Sequence, residues 1–509
     1  MQKFASLTKV FSIVVLSFFV ISSFNYYSHS VDLEYWELPL TPDVLALRER
    51  IDSIIEFYEP YDYDIGLRIM SLCLPQTFYE LNIDKPLIPA SNLKLITTAV
   101  AYAKLGADFT WQTHFYTNTT GNLYIKASGD PTWSDMLRNG SINRAIRSIA
   151  DSLRANGLST IDGDIVIDSG SFHEFNMGVG WREGNRLHAF SAMPSAIAFN
   201  ENTVQIQIRP TTPGNPANIS LFPVNAGFNI INNVNTTTNR RQQGFSFVAD
   251  SLSNSVKVSG SIWEHSRTQH RTIATPVPEQ YALYVIRERL REHGITVKGD
   301  ILYENFSERD PTLRHFTELF SIHSAPIAGV MNEINKASNN FMANQLFLTI
   351  GELYNDAQQT ENIIKTWLST NNVPVDSLRM YDGSGLSYKN RSTVNQLTRI
   401  LRIAHNSEWR DDFYSSMAIS GRDGTLRNAF NCEVLNRQVH AKTGFIVGAR
   451  GLTGFIRTAD GEMLGFSLMV NKEGSRLRNF NRIAERILLE LATFSRDECL
   501  LAKISETRL

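Results

Sequence analysis

Residues 89–103 read PASNLKLITTAVAYA. From Leu95 to Ala103 every residue is apolar or small, and Leu105 and Gly106 mark a helix end. A helix apolar on all sides is a buried helix. Lys94 stands at its entry, and burying an ammonium is costly unless the group is paired or gives up its proton. Ser91 and Lys94 are spaced i and i+3, so on a helix they share a face with Cβ atoms about 5–6 Å apart. A deprotonated lysine there can accept the serine's proton and make the hydroxyl a nucleophile. Ser-x-x-Lys alone is unspecific, since about one or two copies arise by chance in a chain of this length. A capping serine beside a snorkelling lysine explains a single copy equally well.

The segments around this helix suggest what buries it. Val44, Leu47, Ile51, Ile54, Ile55 and Tyr58 fall at helical spacing and predict an amphipathic helix at 42–58, followed by strands at 64–72 and 76–82. Near the other terminus, 448–458 and 462–471 flank Asp460-Gly461 as a hairpin, and Ile483, Ile487, Leu488 and Leu491 predict a second amphipathic helix. Strands plus a helix at both ends predict an α/β fold of the α+β kind, one antiparallel sheet with flanking helices. From 112 to 305 the texture changes to short alternating runs such as TVQIQIRP (203–210) and SVKVSGSIW (255–263), punctuated by Gly, Asn and Pro. Two helices, at about 142–156 and 279–293, interrupt them. This predicts an inserted β-rich region with its own core, separable from chemistry on small substrates. The signal from 311 to 370 is helical, with one helix opening at Ser324-Ala325-Pro326 and a second near Phe341.

Whole-chain properties narrow the function. At 509 residues the chain exceeds a single core and predicts two to four domains. A net charge of −2 without a basic block gives no reason to expect a nucleic-acid partner. Lys3 and Lys9 precede the uncharged run Val10–Phe24, so residues 1–30 read as a signal peptide or an N-terminal anchor and the protein as exported, periplasmic or otherwise extracytoplasmic. Cys73, Cys432 and Cys499 are too few for a disulfide framework. The eleven histidines show no metal-ligand spacing, so neither metal nor cofactor is expected.

Two more motifs join the first. Ser338-Asn339-Asn340 is a Ser-x-Asn between two predicted helices, and AKTGF (441–445) places Lys442-Thr443-Gly444 on a strand before the C-terminal hairpin. Acyl transfer from a peptide needs a nucleophile, a proton path to the leaving amine, oxyanion donors and a cation for a terminal carboxylate. Ser91 with Lys94 as base meets the first need, and Ser338 with Asn340 can relay the proton and hold the substrate amide. Lys442 and Thr443 can orient the carboxylate, Gly444 admits the substrate backbone, and the N–H groups of Ser91 and Phe445 suit an oxyanion hole.

The order Ser-x-x-Lys, Ser-x-Asn, Lys-Thr-Gly is that of penicillin-binding proteins and serine β-lactamases. With its long interval between Ser91 and Ser338, the chain resembles the low-molecular-mass class C penicillin-binding proteins, the D-alanyl-D-alanine carboxypeptidase/endopeptidase family. SGDPTW (128–133), GDIVIDSGSF (163–172), SAMPSAIAFNENTV (191–204), DGSGLS (382–387) and GRDGTL (421–426) carry the likeness from about 60 to 470. It implies a transpeptidase-like catalytic domain from 31–111 and 306–509 around an insert at 112–305. It also implies cleavage of peptidoglycan stem peptides and cross-links, and inactivation by β-lactams. Asn339 stands where aspartate is frequent, and Glu174 is the one acid in HEFNMGVG (173–180), where relatives often present one to the stem peptide. Asp382 and Asp423 sit in motifs that also read as tight turns. A serine β-lactamase or esterase using Ser91, or a non-catalytic wall-binding protein, are the alternatives. The first lacks a Glu-x-x-x-Asn deacylation block, and the second needs no intact Ser91, Lys94 and Lys442.

Overall fold

The computed structural model describes residues 38–134, 142–170, 172, 178–222, 227–250, 254–304, 315–352 and 359–496. The proposed leader at 1–30, Glu174 and Cys499 lie outside them. Among the described residues no helix is long and apolar enough to cross a membrane, and no group of acidic, His or Cys side chains is arranged to hold a metal ion.

The hairpin strand Met463–Asn471 organises the larger unit. Its alternation sends Leu464, Phe466, Leu468 and Val470 into one core and Met463 and Met469 into another, so both faces are covered and every residue is buried. It lies within a six-stranded antiparallel sheet ordered Ala418–Ile419, Val439–Ile446, Ala449–Arg457, Met463–Asn471, Asp64–Ser71, Thr77–Leu81. The terminal helices Pro42–Tyr58 and Phe480–Thr493 cover one face through Leu47, Ile51, Ile483 and Ile487. Lys94–Leu105, Asn340–Glu352 and Val394–His405 build the core on the other. The last of these begins with a capping box: Thr393 Oγ1 accepts from the Gln396 N–H at 3.1 Å, and Gln396 Oε1 from the Thr393 N–H at 3.0 Å. The expected α+β arrangement is thus the observed one.

The insert leaves and re-enters through a hydrogen-bonded stem, where the Ser324 N–H donates to the Trp111 carbonyl and the Trp111 N–H to Ser324 Oγ, each at 3.0 Å. It contains a five-stranded sheet ordered Ile301–Glu304, Ile165–Asp168, Leu123–Lys126, Gln112–Thr117, Thr317–His323. Two three-stranded sheets accompany it, and the helices Ile142–Ala155 and Pro278–Glu292 share one core with these elements through Ile146, Ile165, Phe199, Val256 and Tyr281.

One expectation fails here. Residues 311–370 were expected to be helical, yet Thr317–His323 is a strand whose register sets His323 opposite Gln112. The β-rich unit therefore continues past 305 to the stem at Ser324. The first helix beyond it, Ala328–Asn335, starts two residues after the expected opening at Ser324-Ala325-Pro326, and the second, Asn340–Glu352, begins where the sequence predicts it.

Candidate active site

Ser91 lies in the 3-10 turn Ala90–Leu93, and Lys94 begins the helix Lys94–Leu105. The turn is conformationally tense: Ala90 adopts φ +47°, a left-handed value that costs a residue with a Cβ about 1 kcal/mol or more. Two glycines press against it. Gly385, at φ +82°, approaches so closely that a Cβ there would stand 1.8 Å from the Ala90 carbonyl oxygen. Gly444 lies against the other side, where a Cβ would meet Asn92 Nδ2 at 2.7 Å and the Pro89 carbonyl at 2.9 Å. The sequence reading gave Gly444 the task of admitting substrate; its glycine is needed first to seat the strand Val439–Ile446 on the Ser91 turn.

Lys94 is fully buried beneath the partly exposed Ser91. Its Nζ is 2.9 Å from Ser91 Oγ, 2.7 Å from Asn340 Oδ1 and 2.7 Å from the Ser384 carbonyl oxygen. Burial pulls its pKa down to about 7, opposed by the charge of Asp382. A neutral amine keeps two N–H groups. The two carbonyl-type acceptors can take both, which leaves the lone pair directed at the Ser91 hydroxyl.

The other motifs converge on this pair. Lys442, also fully buried, donates from Nζ to Ser338 Oγ at 2.8 Å and to the Thr443 carbonyl at 2.9 Å. Burial, and then the charge of Lys94, hold its pKa well below the usual lysine value. Ser338 is itself left-handed at φ +61°, which turns the chain between two helices and aims Asn340 at Lys94. Thr443 Oγ1 donates to Thr425 Oγ1 at 2.8 Å, and Phe445 is exposed. Ser91, Lys94, Ser338, Asn340, Lys442 and Thr443 thus surround one cleft. The strand carrying Lys442 pairs with Ala418–Ile419 only at Ala441 and His440, so its outer edge from Thr443 to Ile446 is open.

Residues outside the three motifs hold this geometry in place. Asp382 is buried and accepts five hydrogen bonds: Oδ1 from the N–H groups of Ser384 and Gly385 and from Asn390 Nδ2, and Oδ2 from the Ser387 N–H and Trp181 Nε1. It fixes the loop that presents the Ser384 carbonyl to Lys94. Asp423 braces the Ser338 turn, with Oδ2 2.7 Å from Lys336 Nζ. Both turn motifs are therefore structural supports of the site. The insert contributes as well, through Trp181 and through the Phe190 carbonyl, which accepts from Asn340 Nδ2 at 2.8 Å.

Comparison with known proteins places this arrangement. The chain is 27% identical over 456 residues to a D-alanyl-D-alanine carboxypeptidase of Actinomadura sp. (strain R39), covering 84% of this chain and 81% of that one. It is 24% identical over 439 residues to the D-alanyl-D-alanine carboxypeptidase DacB of Haemophilus influenzae, covering 81% and 86%. The crystal structure of penicillin binding protein 4 (dacB) from H. influenzae shares the fold, with a TM-score of 0.72, 22% identity, and 88% of this chain and 98% of that one covered. Residues 47–490, which include every motif of the cleft, match the model of one peptidase family, and the chain belongs to it: the D-Ala-D-Ala carboxypeptidase 3 (S13) family.

Proposed function

We propose that this D-Ala-D-Ala carboxypeptidase works through an acyl-enzyme on Ser91, with Lys94 as the general base, on peptidoglycan stem peptides and their cross-links. The observation that carries the reading is the saturation of Lys94 by two fixed acceptors with Ser91 Oγ at 2.9 Å. Ser91 Oγ attacks the carbonyl carbon of the penultimate D-Ala while its proton passes to Lys94 Nζ. The C–N bond then breaks, and the proton reaches the departing amine by way of Ser338, whose hydroxyl lies on Lys442. Water cleaves the resulting ester, and Ser91 regains its proton. The N–H groups of Ser91 and Phe445 serve the oxyanion.

The open edge beside Thr443 suits an extended substrate lying along the strand as an added neighbour. Lys442 and Thr443 would then receive its terminal carboxylate. Burial and the charge of Lys94 hold the Lys442 pKa well below the usual lysine value, and an incoming carboxylate supplies a counter-charge that offsets both. A β-lactam presents its cyclic amide in place of the scissile bond, and the penicillin binding protein 4 structure from H. influenzae in complex with a β-lactam supports such binding here. The catalytic unit in this reading comprises the chain before Trp111 and after Ser324, and the leader at 1–30 delivers it outside the cytoplasm, cleaved or as an anchor.

The test is release of D-alanine from a peptide ending in D-Ala-D-Ala, followed from about pH 5 to about pH 9. A protonated Lys94 cannot accept the serine's proton, so the rate rises with pH through about 7. Prior exposure to penicillin abolishes release. No release, or a profile flat across this range, contradicts the proposal.

A further inference from the structure

A groove of about 580 Å³ lies in the insert, bordered by the edges of its two small sheets. Gly244–Asp250 is an outer strand of one sheet and Gln269–Ala274 an outer strand of the other. Phe245, Phe247 and Arg271 line the groove from these strands, and Arg186 and His188 from the segment that crosses between them. Natural sheet edges are usually blunted by charge, proline or a covering element. Gly244–Asp250 has no proline and no charge before Asp250, and its Val248 is 61% exposed. Such an edge accepts an extended peptide through main-chain hydrogen bonds.

Charge indicates which peptide. Residues 178–275 carry eight Lys and Arg against four Asp and Glu, a net of +4 in a chain whose net is −2. Glu183 is the one carboxylate among the lining side chains, at 3.7 Å from Arg186 and largely in solvent. The Arg271 guanidinium lies over the Phe245 ring at 5.7 Å, and its Nη1 donates to the His270 carbonyl. Among the described residues no carboxylate forms an ion pair with it. Two guanidinium groups beside an open edge suit a strand that ends in a carboxylate.

A short segment links the groove to the cleft. The His188 ring stacks on Phe190 at 4.9 Å between centroids, and the Phe190 carbonyl holds Asn340. We propose that this groove is an accessory site for a second wall peptide, which adds as a strand to Gly244–Asp250 and sets its free carboxylate against Arg186 and Arg271. The proposal rests on the reading that the enzyme acts on wall peptides. In a polymer whose peptides are tethered to one another, a weak hold on one raises the effective concentration of its neighbour at Ser91.

The experiment uses full-length protein already acylated by penicillin, so that the cleft is closed and only the groove is read. Binding of a labelled stem peptide ending in D-Ala-D-Ala is measured by fluorescence anisotropy beside its C-terminal amide. Saturable binding is expected to weaken by about tenfold for the amide and for either Arg186→Glu or Arg271→Glu. Absence of saturable binding to the acylated wild-type protein overturns the proposal, as does binding indifferent to the amide and to both charge reversals. Covalent labelling, quantified by mass in the same samples, reports on Ser91 alone and separates failure of the groove from failure of the acyl-enzyme reading.

Discussion

Replacing Lys94 by arginine lowers the rate of Ser91 acylation by about 10²-fold or more, because a guanidinium does not deprotonate near neutral pH. Lys94 is held near the midpoint of its titration by two opposed effects, burial pulling its pKa down and the Asp382 charge pushing it up. Arginine keeps the positive charge and the donors for Asn340 Oδ1 and the Ser384 carbonyl, but offers no lone pair to the serine. Time courses of fluorescent penicillin labelling measure the rate, and a thermal melt checks that the variant is folded. Near-normal acylation in a folded Lys94→Arg protein would assign the base elsewhere.

The second large effect concerns the insert. Joining Trp111 to Ser324 through a two-residue turn deletes 112–323 at a stem that is already hydrogen-bonded, so a short connection closes the chain. The sequence alone suggests that chemistry on small substrates survives such a deletion. The contacts argue otherwise. Asn340 loses the Phe190 carbonyl, Asp382 loses Trp181 Nε1, and Gln345 Nε2 loses the Ser195 carbonyl at 2.7 Å. Phe172, Ala192, Ala196 and Ala198 also leave the core that surrounds the Lys94 helix. A misplacement of about 1 Å in a catalytic group costs on the order of 10²-fold, so penicillin labelling and D-alanine release fall together by at least that factor. Labelling that persists at near-normal rate while release from cross-linked wall peptides alone is lost would restore the separable insert. Trp181→Phe, which keeps an aromatic ring of smaller size and removes one donor to Asp382, should show the same joint loss on a smaller scale.

These contacts also explain what the sequence could and could not reveal. The terminal helices and the hairpin were legible because Leu47, Ile51, Ile483 and Ile487 repeat at helical spacing and Asp460-Gly461 marks a turn. The strands Asn218–Phe222, Asn229–Thr237 and Gly244–Asp250 were not singled out. The second, NIINNVNTT, is rich in asparagine and mostly exposed, so neither propensity nor burial imposes a strong pattern on it. The strand Thr317–His323 gains its place from its partner Gln112–Thr117, a pairing across about two hundred residues that no local window contains.

The side chains of the cleft are legible in the sequence because acyl transfer calls for particular residue types, and because their order matches that of the family the chain resembles. Their supports escaped notice for the opposite reason. The carbonyls of Ser384 and Phe190 can belong to any residue, and only the fold brings them to Lys94 and Asn340. Asp382 was visible but ambiguous, since a turn brace and a cleft residue look alike in sequence. It braces the turn, and through that turn and its charge it acts on Lys94.

The central claim is that Ser91 is the acylated residue. The direct measurement is mass spectrometry of the protein after penicillin treatment, intact and then digested. The account predicts one adduct per chain, carried by the peptide that contains Ser91, and none in Ser91→Ala. An adduct mapped to any other residue, or retained in the alanine variant, would contradict it.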